Sequence, residues 1–257
     1  MKKILKDKKI VLTRTKEQSK ESGKWLHSHG AKVIYFPCIK IVPIQDPSKL
    51  HELLLSATFD FVIFSSSNAV KIFVDLTKNS EHAGVLKKVK VIAVGSKTKF
   101  TCEQLGIKVG LVPENFSAKG ILKLFSKFDL ENKNILIPTS NIARKELREG
   151  LQKRKARIFP ISVYDTVPTK IEKVSEELKE IKDSKPNLFI FTSPSTYNNF
   201  LKLADVKTPK SYFKGSDIAA IGSTTKEAIE MTGAKVSITP AKSTMNTLLD
   251  EIIRYYK

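Results

Sequence analysis

Short apolar runs alternate along the chain with segments in which apolar residues recur every three or four positions. Runs of the first kind, rich in Val, Ile and Phe, predict strands: KIVLT (9–13), KVIYFP (32–37), FVIFS (61–65), VIAVG (91–95), NILIP (134–138), LFIFT (188–192) and IAAIG (218–222). Segments of the second kind predict amphipathic helices: EQSKESGKWLHSHG (17–30), SNAVKIFVDL (67–76), KTKFTCEQLG (97–106) and STTKEAIEMTG (223–233).

The predicted strands are apolar throughout, so both of their faces should be buried. This pattern is typical of parallel sheets covered by helices, and it predicts an α/β fold. Gly30, Gly106 and Gly233 stand where helices should end and are expected to cap them. The charged segment 165–186, DTVPTKIEKVSEELKEIKDSKP, is predicted to be an amphipathic helix that covers one face of a sheet.

The sequence repeats itself at a constant spacing. FVIFSSSNAVKIF (61–73) resembles LFIFTSPSTYNNF (188–200), and AVGSKTKFTCEQLGIKVGLVP (93–113) resembles AIGSTTKEAIEMTGAKVSITP (220–240), in both cases 127 residues apart. A weaker pair, KIVLTRT (9–15) and NILIPTS (134–140), is 125 residues apart. The chain therefore consists of two similar halves, and each half is predicted to form one α/β lobe.

Composition narrows the possible environments and partners of the chain. Lys and Arg together number 45 against 26 acidic residues, a formal charge of +19, and only six of the basic residues are arginine. This lysine excess fits either a general compositional bias or an anionic partner. Two widely spaced cysteines, no apolar stretch of membrane-spanning length and no signal-peptide pattern at the start favour a cytoplasmic protein. We expect no metal site, because His27 and His29 would point to different sides of a helix.

Hydroxyl side chains are concentrated where predicted strands give way to helices: TRT (13–15), SSSN (65–68), GSKT (95–98), PTSN (138–141), TSPST (192–196) and GSTT (222–225). In a parallel sheet, ligands bind at this end of the strands, and helix amino termini attract anions. Any one of these turns could equally be an ordinary helix cap. Six of them in two repeated lobes, which we expect to face a shared cleft, favour a ligand with many separate negative charges.

The stretch KVIAVGSKT (90–98) superficially resembles a phosphate-binding loop. Such a loop requires G-x-x-x-x-G-K-[ST], but here the first glycine is missing and Ser96 separates Gly95 from Lys97. The repeated turn GSTT carries Thr224 in place of that lysine. We therefore exclude nucleotide triphosphate binding at this loop.

The ordered set of motifs resembles the uroporphyrinogen-III synthase family. It comprises LTR near the start, FSSSNAV and FTSPST, AVGSKT and AIGSTT one repeat apart, and SVYDT between the halves. The resemblance implies two similar lobes, each a parallel sheet flanked by helices, joined by a two-stranded connector. Transferred to this chain, residues 1–37 plus 167–257 would form a discontinuous lobe one and residues 42–163 lobe two, with 38–41 and 164–166 as connectors.

The same resemblance implies a lyase that closes hydroxymethylbilane to uroporphyrinogen III in porphyrin and heme biosynthesis. Water is lost and ring D is inverted through a spiro intermediate, without a cofactor. The substrate carries eight carboxylates, in agreement with the anion-binding turns. The resemblance further implies a cytoplasmic monomer that could receive its substrate from hydroxymethylbilane synthase, and binds neither nucleic acid nor membrane.

Tyr164 matches the tyrosine that is proposed in the family to assist departure of the hydroxyl group. The alternative is that Tyr164 lies on a strand edge and has no catalytic role. Expected substrate-binding residues lie in the six turns: Thr13, Arg14, Ser65, Ser66, Ser67, Gly95, Thr98, Thr139, Ser140, Thr192, Ser193, Gly222 and Thr225. The alternative function is a non-enzymatic two-lobe binder of a polyanion. Nucleic acid is a poor fit for such a binder, because arginine is scarce and the aromatic residues lie mostly in predicted strands.

Overall fold

The computed structural model describes residues 3–140 and 145–257. Its strands are β1 (Lys9–Leu12), β2 (Lys32–Tyr35), β3 (Ile39–Pro43), β4 (Phe61–Phe64), β5 (Lys90–Ala93), β6 (Val109–Leu111), β7 (Asn134–Ser140), β8 (Arg157–Pro168), β9 (Leu188–Phe191) and β10 (Asp217–Ala220). Its helices are α1 (Lys16–Ser28), α2 (Ser48–Ser56), α3 (Ser67–Thr77), α4 (Ser96–Gln104), α5 (Ala118–Phe125), α6 (Lys145–Gln152), α7 (Ser175–Asp183), α8 (Pro194–Leu203), α9 (Pro209–Tyr212), α10 (Ser223–Glu230) and α11 (Met245–Tyr255). Within the described ranges, every helix is too short or too polar to cross a lipid bilayer.

The chain divides into two compact units. Unit 1 contains the chain up to Lys40 together with Val167–Lys257, and unit 2 is Ile41–Thr166. The chain passes from one unit to the other inside β3 and again inside β8, which are neighbours in one sheet.

Unit 1 is built on a parallel sheet in the order β10-β9-β1-β2. Successive strand residues point to opposite faces, so Val11 and Phe189 lie in one core and Ile10 and Leu188 in the other. Helices α7, α8 and α10 cover the first face, and α1 and α11 cover the second. Burial on both faces explains why these strands contain no alternating polar positions.

Unit 2 has a six-stranded sheet in the order β3-β8-β7-β4-β5-β6. Val62 and Val91 pack on one face against α2, α3 and α4, whereas Ile63 and Ile92 pack on the other against α5 and α6. The pairs β7–β8, β4–β7, β4–β5 and β5–β6 are all parallel. The α/β fold class is therefore confirmed, with helices on both faces of each sheet.

The repeat in the sequence is a repeat in topology. At the spacings of 127 and 125 residues, β5-β4-β7-β8 of unit 2 corresponds strand for strand to β10-β9-β1-β2 of unit 1. The equivalent of β6 in unit 1 is reduced to one parallel bridge between Ala219 and Ile238. The weaker and the stronger repeat thus describe the same duplication.

Local predictions are confirmed at the helix ends and corrected in one segment. Gly30, Gly106 and Gly233 have φ of +97°, +70° and +81° and lie just beyond α1, α4 and α10. The prediction of a helix across 165–186 is wrong at its start: β8 continues to Pro168, and α7 begins only at Ser175. Within α7, Leu178 and Ile181 are buried against the sheet, as expected for a covering helix.

Candidate functional site

In both units the hydroxyl-rich turns follow the carboxyl ends of adjacent parallel strands. In unit 1, residues 13–15, 192–196 and 222–225 follow β1, β9 and β10. In unit 2, residues 65–68 and 95–98 follow β4 and β5. Since the carboxyl ends of parallel strands lie along one sheet edge, each unit gathers its predicted site residues at that edge.

Three of the hydroxyl groups cap helices. Oγ1 of Thr15 accepts the N–H of Gln18 at 3.2 Å, and Oγ of Ser66 accepts that of Ala69 at 3.1 Å. Oγ of Ser193 accepts the N–H of Thr196 at 3.2 Å, and Thr196 Oγ1 accepts from the Ser193 N–H in return. Capping of this kind fixes the direction in which each helix leaves its strand.

The repeated turns GSKT and GSTT begin their helices differently. The caps of α4 and α10 are Gly95 and Gly222, which have no side chain to accept a helix N–H. Thr98 and Thr225 are 4% and 3% exposed, so their hydroxyl groups are turned into the protein. At these two turns, backbone amides and the exposed hydroxyl groups of Ser96, Ser223 and Thr224, rather than those of Thr98 and Thr225, are the donors offered to a ligand.

Different side chains stand over these two glycines. A methyl group on Gly222 would come within 2.5 Å of Ser243 Oγ, whereas one on Gly95 would meet the ring of Phe116 at 3.6 Å. Phe116 and Ser243 are themselves 127 residues apart and therefore occupy equivalent positions of the repeat. Phe116 is 46% exposed, so unit 2 presents an aromatic surface where unit 1 presents a hydroxyl group.

The two predicted residues after β1 have different environments. Thr13 is fully buried, and its Oγ1 donates to the carbonyl of Ile190 at 2.7 Å, which joins β1 to β9. Arg14 is half-buried and donates from Nε to Oε1 of Gln18 at 3.2 Å. Burial lowers the pKa of Arg14 from its ordinary value, yet a guanidinium group remains charged in a protein. No carboxylate among the described residues pairs with it.

Tyr164 lies next to the carboxyl end of β7, because it pairs with Ser140 where the register of β7 and β8 shifts. It is 8% exposed, and its Oη lies 3.2 Å from Ser66 Oγ. The structure thus brings together two residues that are 98 positions apart in the sequence. Because Ser66 already accepts the N–H of Ala69, it can donate its own proton to Tyr164 Oη and leave the phenolic proton for a ligand.

The turn predicted at 138–141 is wrong in part. Thr139 and Ser140 belong to β7, and Asn141 lies outside the described residues. Thr139 and Ser65 line a cavity of about 30 Å³ together with Arg148 of α6. Arg148 was not predicted, since nothing in the α6 sequence shows that its side chain reaches the end of β7.

The remaining predicted residues lie at the same two edges. Ser65 is exposed directly after β4, and Ser67 is the first residue of α3. Thr192 is half-buried between β9 and the cap residue Ser193.

Phe116, like Arg148, is an additional residue at the unit 2 edge that was not predicted from the sequence. Phe116 could have been found from the sequence by extending the repeat three residues beyond Pro113. At that position one copy has an aromatic residue and the other copy has a serine.

Comparison with known proteins identifies the family. The family model of uroporphyrinogen-III synthase HemD matches residues 20–250. The chain belongs to the uroporphyrinogen-III synthase family. It is 26% identical over 235 residues to the uroporphyrinogen-III synthase of Chlorobaculum parvum. The aligned region covers 91% of this chain and 93% of that one.

Solved structures of the family share the fold. A mutant uroporphyrinogen III synthase from the extremely thermophilic bacterium Thermus thermophilus superposes with a TM-score of 0.65 at 17% identity, covering 96% of this chain and 98% of that one. The uroporphyrinogen-III synthetase of Helicobacter pylori gives a TM-score of 0.62 at 18% identity, and it covers 96% of this chain and 98% of that one. The family resemblance stated from the motifs is confirmed.

Proposed function

We propose that this chain is the lyase that converts hydroxymethylbilane to uroporphyrinogen III in tetrapyrrole biosynthesis. The observation that carries the assignment is the family match over residues 20–250, nearly the whole chain. The sheet edges support it chemically, because a substrate with eight carboxylates requires many anion-binding groups. Each unit offers such an edge of helix amino termini, and Arg14 adds a guanidinium group without a carboxylate partner in the described parts of the chain.

Tyr164 is the residue we assign to the departure of the hydroxyl group. Its phenol would donate a proton to the substrate hydroxyl as the carbon–oxygen bond breaks, so that water leaves and an electrophilic azafulvenium ion, still protonated on its ring nitrogen, remains opposite the tyrosinate. In this proposal Ser66 is the donor in its hydrogen bond with Tyr164 Oη, so that it holds the phenol in place and stabilises the charge left on its oxygen. Attack by the chain-bearing carbon of ring D then gives the spiro intermediate from which inverted ring D emerges.

Positioning contributes more to this reaction than acid catalysis does. The free bilane cyclises without inversion to the type I isomer, so the protein must hold ring D in the curled geometry that leads to the spiro intermediate. We assign Arg14, the strand-end turns 65–67, 95–98, 192–193 and 222–225, and the end of β7 at 139–140 to binding the substrate carboxylates, whereas the buried hydroxyl of Thr13 supports the turn from within. Exposed Phe116 beside Gly95 offers apolar surface for a pyrrole ring.

The same proposal includes the cellular setting. Cys38 and Cys102 are free and buried, and burial raises the pKa of both thiols, that of Cys102 to about 11, so neither is primed for oxidation. This supports a reducing, cytoplasmic location. We further propose a monomer that receives the unstable bilane from hydroxymethylbilane synthase.

The experiment supplies the purified chain with hydroxymethylbilane and separates the type I and type III isomers by chromatography after oxidation. Type III in excess over a protein-free control supports the synthase. Tight binding of the bilane with only type I product would favour the alternative, a non-enzymatic polyanion binder. Boiled protein at the same concentration controls for effects of the positive charge alone.

A further inference from the structure

Unit 2 contains a second concave site far along the sheet from the strand-end turns. A cavity of about 610 Å³ is lined by the beginning of β5, at Lys90 and Val91, and by residues just before β6. The last turn of α3 and the residues that follow α4 complete its wall. It therefore lies at the amino ends of the strands, whereas the turns assigned to the bilane follow their carboxyl ends. Its volume is within the range of small-molecule sites.

The lining of this cavity is positively charged. It includes no acidic residue and five lysines: Lys78, Lys87, Lys88, Lys90 and Lys108. A lysine-rich chain will carry lysine on most of its surfaces, but carboxylates usually accompany it there. A concave surface with only one sign of charge raises the local concentration of oppositely charged ligands.

Most of this charge is not neutralised by the protein. Lys78 pairs with Asp75 at 2.9 Å, and Lys90 Nζ lies 5.2 Å from the centre of the Phe128 ring. The other three lysines make no ion pair with any residue that the structure describes. The carboxyl ends of α3 and α4 also point here, each equivalent to about half a negative charge. After Asp75 and both helix ends are subtracted, a net charge of about +3 remains.

Part of the cavity lining is apolar. Val74, Leu86 and Ile107 contribute aliphatic side chains, and Leu105 is 43% exposed at the rim. An inorganic anion would gain nothing from these groups, and an uncharged apolar ligand would gain nothing from the lysines. The combination fits a molecule with both features.

We propose that this cavity binds a compact organic anion with an apolar ring system and several carboxylate or sulfonate groups. The ring system contacts Leu86, Leu105 and Ile107, and the anionic groups are bound by Lys87, Lys88 and Lys108. This second site is separate from the residues assigned to hydroxymethylbilane. It stands whether or not the proposed synthase activity is correct, because it rests on the cavity alone.

The test is a fluorescence titration of the whole chain with 1,3,6,8-pyrenetetrasulfonate, a tetra-anion on an apolar ring system. The variant K87Q/K88Q/K108Q is compared with K179Q/K210Q/K235Q, which removes three exposed lysines of unit 1 that lack ion pairs among the described residues. We expect the cavity variant to bind at least about tenfold more weakly, and the control variant to stay within about twofold of the wild type.

A second arm separates the apolar contribution from charge. Leu105→Gln should weaken binding about threefold without changing its dependence on salt, whereas K87Q/K88Q/K108Q should reduce that dependence. The proposal is overturned if the wild type shows no saturable binding, or if both triple variants weaken it equally. Unchanged binding in the cavity variant would also overturn it, since the probe would then occupy the strand-end turns instead.

Discussion

Tyr164 Oη and Ser66 Oγ lie 3.2 Å apart at the carboxyl-terminal edge of the unit 2 sheet. Ser66 caps α3, so the same hydroxyl group fixes the start of a helix and orients a phenol. These two residues are distant in the sequence and are brought together by the strand order, which places β8 next to β7 and β7 next to β4. The contact therefore connects the fold with the proposed chemistry.

Replacing Tyr164 by Phe should separate catalysis from binding. We expect the rate of type III formation to fall about a hundredfold, because proton donation to the leaving hydroxyl is lost. The ring itself stays, so the affinity for the bilane and the free energy of unfolding should change little. Steady-state kinetics measure kcat and KM, and urea unfolding checks stability. Full activity in Tyr164→Phe would remove this residue from the mechanism.

The cap hydroxyls should matter more to stability than to catalysis. Ser193→Ala removes the side-chain acceptor of its capping box and should lower the free energy of unfolding by about 1 kcal/mol. The rate of type III formation should stay within about twofold, since the backbone amides remain. Urea unfolding and the isomer assay measure the two effects. Asn198→Ala, at an exposed position of the same helix, is the control.

Phe116→Ser gives unit 2 the side chain that unit 1 carries at the equivalent position. Since Phe116 is 46% exposed, we expect little loss of stability. Loss of its apolar surface from the strand-end edge should raise KM about fivefold and change kcat less. Phe100→Ser, which removes a 62% exposed phenylalanine from α4, is the matched control. Equal effects of both changes on KM would contradict a specific role for Phe116.

Asp217 anchors the carboxyl-terminal residues to β10. Its carboxylate accepts hydrogen bonds from Tyr255 at 2.7 Å, Tyr256 at 2.8 Å and Ser237 at 2.8 Å. Asp217→Ala should therefore lower the free energy of unfolding by about 2 kcal/mol, measured in urea. Asp250→Ala, at an exposed position of α11, should have almost no effect.

The same cluster predicts a loss of stability at high pH. Burial and then the hydrogen bond to Asp217 raise the pKa of Tyr256 above its ordinary value of 10.0. The folded state holds this phenol neutral, so its contribution is complete below pH 10 and is lost progressively as the pH rises above that value. Unfolding free energies at pH 8 to 11 should thus fall more steeply in the wild type than in Tyr256→Phe. If the unfolding free energies of the wild type and of Tyr256→Phe fell equally with pH, a raised pKa of Tyr256 would be contradicted.

Sequence patterns predicted the sheets well because both faces of each strand are buried. The full length of β8 was not predicted, since Pro160 and Pro168 interrupt its pattern and its pairing with β7 is a tertiary feature. At the site, the sequence predicted where the hydroxyl side chains lie, but not which group each hydroxyl forms a hydrogen bond with. Thr13 bonds to Ile190 across two strands, a contact between residues that are 177 positions apart and leave no local signal.

The most direct measurement of the central claim is a single-turnover reaction with the protein in excess over hydroxymethylbilane. With every substrate molecule bound, the isomer ratio reports what the protein does to ring D. The account predicts that nearly all the product is uroporphyrinogen III and that it forms faster than the bilane cyclises alone. Uroporphyrinogen I formed at the spontaneous rate would contradict it.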